Sequence, residues 1–210
     1  MKIIAFILLL ISLQTLYAQG EYIERGQNAY GISLSGGLHP KVLAIGGAGA
    51  VSNSGTFDFG IGYTYLFSQE ENPIDKSTSI VVIPFAGVHI LKQSDTYPVS
   101  LSAMIEYQVH RLTAKDESGQ LSLGSWAIGA SVFHRFEVSQ KFGFQPSASL
   151  SFFKPERYPG EISQGMKPAF QAAAAFITRG LTSQMVLKPS VSLSTNETFY
   201  SLTFEFVDLL

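Results

Sequence analysis

The chain has 210 residues, of which 46% are hydrophobic and 14% charged, with a formal net charge of −2. Soluble globular proteins carry about 25% charge, so this chain is long enough for one sizeable domain but poor in the groups that keep a surface in water. The near-neutral balance gives no electrostatic footprint for nucleic acid, and the absence of cysteine excludes a disulfide framework, a thiolate zinc site and a lipid-modified N-terminal cysteine.

The first segment reads MKIIAFILLLISLQTLYAQG. Lys2, an apolar run from Ile3 to Leu13, then Tyr17 and Ala18 form the pattern of a cleaved secretory signal with the cut after Ala18. The apolar run falls short of the ~20 residues that a spanning helix needs. The expected domain organisation is a signal peptide over 1–18 and a single domain over 19–210.

From there the chain shows period-2 alternation in place of helical period. Ten strands are predicted, over 29–37, 41–51, 56–67, 79–91, 98–110, 122–136, 142–153, 167–178, 185–194 and 198–207. In the third, Phe57, Phe59, Ile61, Tyr63, Tyr65 and Phe67 share one face, while Asp58, Gly60, Gly62 and Thr64 share the other. In the fifth, Val99, Leu101, Ala103, Ile105, Tyr107 and Val109 oppose Ser100, Ser102, Met104, Glu106 and Gln108. The fourth is apolar on both faces, and its orientation is open.

Two features of these strands point to lipid. Strands of soluble domains run to about 5 or 6 residues, whereas membrane-spanning strands need ~9 to 11 and tilt by ~45°. The second face is mostly Gly, Ser, Ala, Thr and Gln, where a soluble sheet would place charge. Charges collect in the connections, at Glu70, Glu71, Asp75 and Lys76, at Lys115, Asp116 and Glu117, and at Lys154, Glu156, Arg157 and Glu161. Inside strands the charged residues are chiefly Asp58, Glu106, Arg135, Lys188 and Glu205, which fits a narrow lumen where a few charges pair. Turns near Asn53, Gln93, Ser139 and Leu181 are short and alternate with the longer connections, as in barrels with short periplasmic turns.

The last strand, FYSLTFEF, alternates Tyr200, Leu202, Phe204 and Phe206. With it, the chain resembles the small outer-membrane β-barrel proteins of Gram-negative bacteria over essentially all of residues 19–210. It departs in continuing through Val207, Asp208, Leu209 and Leu210 past the final aromatic, and in Ser201 where a glycine is common. The resemblance implies an all-β, antiparallel up-and-down transmembrane barrel of about ten strands, with eight as the alternative. It also implies a place in the outer membrane, in contact with its lipid and, during biogenesis, with the outer-membrane assembly machinery.

Local motifs add little. VLAIGGAGAV at 42–51 lacks the GxGxxG spacing and no helix follows it, so it does not read as a phosphate loop. Ser102, Glu106 and His110 share one face of one strand, but at ~3.3 Å per residue they stand ~13 Å apart, beyond nucleophile–base contact. His39, His89 and His134 are isolated in sequence, and no spacing fits metal ligands. The expected function is therefore non-enzymatic, in envelope structure, assembly or surface binding, without cofactor or metal and with an envelope protein as a possible partner. The alternatives are a carrier or passage for small apolar molecules, a secreted soluble β-barrel binding an apolar ligand, and an outer-membrane lipid hydrolase or acyltransferase.

The final hairpin allows a register to be read. A two-residue turn at Asn196 and Glu197 pairs Leu193 with Tyr200, Val191 with Leu202, Pro189 with Phe204 and Leu187 with Phe206, apolar on both sides. The alternate set sets Lys188 opposite Glu205, predicting a lumen-facing cross-strand salt bridge near the periplasmic end.

Overall fold

The computed structural model describes residues 19–39, 42–68, 78–113, 120–155, 165–194 and 197–210. The expected signal peptide, the turn residue Asn196 and nearly all the charges expected in the longer connections, from Glu70 to Lys76, Lys115 to Glu117 and Glu156 to Glu161, lie outside the described residues. A single 3-10 turn, Gln19–Tyr22, precedes the strands. These are β1 (Ala29–His39), β2 (Val42–Asn53), β3 (Phe57–Ser68), β4 (Thr78–Leu91), β5 (Ser100–Thr113), β6 (Gln120–Phe133), β7 (Phe136–Ser139), β8 (Phe142–Pro155), β9 (Lys167–Arg179), β10 (Ser183–Ser194) and β11 (Glu197–Leu209).

Except for β6 and β7, which do not pair with each other, each strand pairs antiparallel with its chain neighbour; β1 also pairs with β11 and β6 with β8, which closes the sheet into a barrel. The wall has ten strands, because β7 is the tail of β6. Phe133 stands opposite Ser147 in β8 and Phe136 opposite Phe144, one continuous register. His134 N–H donates to the Pro146 carbonyl at 3.2 Å, but Pro146 has no N–H to return the bond, so the ladder lapses there.

The two faces divide as the alternation requires. Phe57, Phe59, Ile61, Tyr63, Tyr65 and Phe67 all point outward and are 38–57% exposed. Between them Asp58 and Thr64 are buried, as are Ser100, Ser102, Glu106 and Gln108 of β5. In β4 the structure makes the choice that composition leaves open: Ile80 and Val82 face out, while Val81, Ile83, Phe85 and His89 face in. An outward apolar face of this kind, continuous around a closed wall with every strand paired, is what a bilayer accepts. Aromatic pairs mark both rims, Phe144 against Phe176 at 5.4 Å on the short-turn end and Tyr107 against Trp126 at 4.6 Å toward the other, the placement of interfacial girdles.

The short-turn end carries a tight hairpin at Asn53–Thr56. Ser54 and Gly55 both have positive φ, 55° and 56°, and Thr56 N–H donates to the Asn53 carbonyl at 3.0 Å, the geometry of a type I′ turn. By the short-turn rule this end faces the periplasm.

In the final hairpin the register differs from the sequence expectation by two residues. Ser194 faces Glu197, Val191 faces Tyr200, Lys188 faces Thr203 and Glu205 faces Val186. Lys188 and Glu205 are therefore not directly opposed. A shift of one residue would turn every side chain to the wrong face, but a shift of two preserves both faces. The apolar pattern cannot separate the two registers; the position of the turn and the pairing of β11 with β1 decide.

Candidate functional site

Residues 19–28 do not extend away from the barrel. They fold into its periplasmic mouth, where Tyr22 and Ile23 are buried among the inward side chains Ala175, Ile177, Val186 and Val207. Leu209 packs on the same cluster, which accounts for the residues beyond Phe206: β11 runs on past its last aromatic, and Val207 and Leu209 wall the inserted segment.

Polar contacts fasten this segment on every side. The Tyr22 hydroxyl donates to Glu205 Oε1 at 3.3 Å, and Lys188 Nζ lies 3.4 Å from Glu21 Oε2. Arg135 Nη2 donates to the Glu21 carbonyl at 2.7 Å and its Nε to Gln145 Oε1 at 3.2 Å. Lys92 Nζ donates to the Ile23 carbonyl at 2.8 Å, and Arg25 Nη2 to the Ile90 carbonyl at 3.1 Å. At the hairpin, Gly26 N–H donates to the Ser54 carbonyl at 2.9 Å and Ser54 N–H to Asn28 Oδ1 at 2.7 Å. The Glu24 carbonyl sits where a Cβ on Gly55 would stand, so that position requires glycine for its φ and for the close approach.

Burial shapes the chemistry of the mouth. It pushes the Tyr22 hydroxyl well above its ordinary range, with the Glu205 and Glu21 carboxylates adding to the effect. It also pulls the Lys92 ammonium down to about 8, because a charge leaving water loses hydration. Beside the inserted segment a cavity of about 840 Å³ opens on the periplasmic side, lined by Arg25, Lys92, Arg135, Glu24, Asp95 and Gln145 among others.

The lumen above it is polar and filled. Asp58 and His89 are fully buried, with His89 Nε2 2.8 Å from Asp58 Oδ2. Glu106 accepts a bond from Gln108 Nε2 at 2.5 Å. Higher still, Val42, Ala44, Leu66, Val81, Ile83 and Phe199 form a buried apolar cluster inside the barrel.

Of the charged strand residues picked from sequence, Asp58, Glu106 and Glu205 are buried, and Arg135 lies between β6 and β7 with its guanidinium on the inserted segment. Lys188 and Glu205 meet that segment: Glu21 takes the amine and Tyr22 donates to the carboxylate. Residues 19–28 fall before the first predicted strand and Lys92 between two predicted strands, so Glu21, Tyr22 and Lys92 were not picked from sequence. Asp58 with His89 was also missed. Its signal was the β3–β4 register, which sets Asp58 opposite Gly87, two residues from His89 on the same face. Ser102 and Glu106 are no triad: the Ser102 hydroxyl meets Ser131 Oγ at 2.6 Å, and the His110 side chain lies outside the described residues. Among the described residues no group of three His, Cys, Asp or Glu is placed to hold a metal.

No protein-family model matches the chain, and neither does any curated protein. Solved structures do. An outer-membrane channel from Pseudomonas putida F1 matches with a TM-score of 0.57 at 8% identity, over 90% of this chain and 97% of that one. The β-domain of the Bordetella autotransporter BrkA matches at 0.55 and 9% identity, over 88% and 99%. The translocator domain of the autotransporter NalP from Neisseria meningitidis matches at 0.51 and 10% identity, over 89% of each chain. At such identities the likeness is one of fold, and the fold is the closed antiparallel barrel of bacterial outer-membrane proteins.

Proposed function

We propose that this outer-membrane β-barrel is a closed, non-enzymatic protein acting in envelope structure, assembly or surface binding, and that it is not an open porin. The observation that carries this reading is a lumen stopped at two levels. Residues 19–28 occupy the periplasmic mouth, and the cluster around Phe199 and Ile83 fills the outer part with apolar side chains. Conduction of ions or polar solutes needs a continuous wetted path, and an apolar constriction dries it. Against catalysis stands the enclosure of Asp58 and His89, which leaves no room for a substrate.

A second reading is a gated passage with residues 19–28 as the gate. It draws on the fastening of that segment, which is largely single hydrogen bonds to backbone carbonyls. Both readings meet in one experiment, reconstitution of the full chain into planar bilayers. The closed reading expects no steady conductance, and ohmic conductance of the unmodified protein would overturn it. Brief openings that lengthen in Tyr22→Ala would favour the gate.

A further inference from the structure

We propose that the periplasmic mouth carries a docking slot for an extended polypeptide segment of a periplasmic partner, taken up as an added strand on the open edge of β7. Among the described strands β7 pairs with β8 alone, and all four of its residues are exposed. His134 N–H turns toward β8, to the Pro146 carbonyl, and Phe136 stands opposite Phe144. The alternation of an antiparallel ladder therefore turns the main-chain groups of Arg135 and Glu137 the other way. The wall on that side has already ended, since β5 starts at Ser100, opposite Phe133.

A side chain shows how this edge is read. Arg135 N–H donates to Gln93 Oε1 at 2.6 Å, and Gln93 Nε2 donates to the Arg135 carbonyl at 2.9 Å, the reciprocal bonds that two opposed residues of an antiparallel ladder exchange. The primary amide of Gln93 thus stands where the peptide groups of an added strand would stand. Glu137 is the next position on the same edge. Its carboxylate is turned across β8 to Arg179 of β9, with Nη2 2.7 Å from Oε1, so its own side chain does not cover the edge. Beyond it the ladder with β8 slips, between Glu137 and Ser139, which limits the slot to the steps at Arg135 and Glu137.

The cavity of about 840 Å³ lies against this edge: Arg135 and Glu137 line it from β6 and β7, and Gln93, Ser94, Asp95 and Tyr97 line it from the β4–β5 turn. Three cations and four carboxylates share its lining, so neither sign of charge selects the occupant. That mixture suits a polypeptide main chain, which is neutral and offers N–H and C=O in alternation, the mode in which an extended segment adds to a sheet edge. The short-turn end faces the periplasm, and the segment therefore comes from a protein there.

The test titrates the full chain in detergent micelles with a capped hexapeptide of alternating threonine and valine, read by the amide resonances of Arg135 and Glu137 in NMR and by sedimentation. Saturable binding that shifts both amides is expected, about tenfold tighter in Gln93→Ala, where the added strand no longer displaces two modest hydrogen bonds. The same peptide with every amide N-methylated has no main-chain donor, and its binding should be lost. No saturation of parent or Gln93→Ala, equal affinity for the methylated peptide, or an affinity that Gln93→Ala leaves unchanged would overturn the slot. Dimerisation of Gln93→Ala in place of peptide binding would give the edge to a second copy and overturn the partner. The partner rests on the assembly role proposed above; steady conductance would overturn the closed barrel and leave this titration as it is.

Discussion

Gly60 faces the lumen from β3, directly opposite Phe85 of β4, and the Phe85 ring lies over it. A Cβ added there would collide with Phe85 Cζ and stand 2.6 Å from the Gly49 carbonyl oxygen. The ring can swing aside, but the carbonyl belongs to a paired strand and cannot move without disturbing the β2–β3 ladder. Overpacking of this kind costs about 1–3 kcal/mol. Gly→Ala by itself returns roughly 0.4–1 kcal/mol by restricting the unfolded chain. The net expectation for Gly60→Ala is a loss of about 1–2 kcal/mol, or a fall of roughly 0.5–1 M in the urea midpoint if the slope is about 2 kcal/mol per molar. The assay is urea unfolding in lipid vesicles, followed by the fluorescence of Trp126, the single tryptophan. Gly36→Ala is the control: its Cβ would meet nothing within 4 Å, so its midpoint should stay or rise. Adding Phe85→Leu to Gly60→Ala should cost less than the sum of the two single changes. A Gly60→Ala barrel as stable as the parent, or strict additivity of the pair, would refute the argument that the ring and the backbone oxygen fill that space.

The same assay tests the inserted segment and its charges. Tyr22→Phe removes the donor to Glu205 Oε1, and Glu205 Oε2 already lacks a hydrogen-bond partner, so a loss of about 1–3 kcal/mol is expected for the stranded carboxylate; an unchanged midpoint would mean that the hydroxyl carries none of the docking. Lys92 gives a pH dependence whose sign is set by its depressed position. Below about 8 the amine is charged in both folded and unfolded chains. Above about 8 the folded chain releases the proton while the unfolded chain keeps it to about 10.5, so this group adds stability as pH rises through that window. Measured between pH 8 and 9.5, the parent should gain stability relative to Lys92→Met; parallel curves would show that the amine is solvated.

The wall of this protein is written in its sequence. A spanning strand must bury no backbone polar group unpaired and must show lipid one face and the lumen the other, so period, strand length and the choice of Ser, Gly and Gln between large apolar residues are each forced locally. Phe57 to Phe67 and Val99 to Val109 could be oriented residue by residue for that reason. Three things were not local. The orientation of Thr78–Leu91 depended on its neighbours, because both of its faces are apolar and only pairing with β3 and β5 sends Phe85 and His89 inward. The final hairpin could slide by two residues at no cost to its pattern, and the wider ring of pairings fixed it. The filling of the periplasmic mouth was hidden altogether, since Glu21, Tyr22 and Ile23 acquire their partners from positions such as Lys92, Arg135, Lys188 and Glu205, far along the chain. Contacts between distant segments leave no periodic trace in either one, and the candidate site of this protein is made of nothing else.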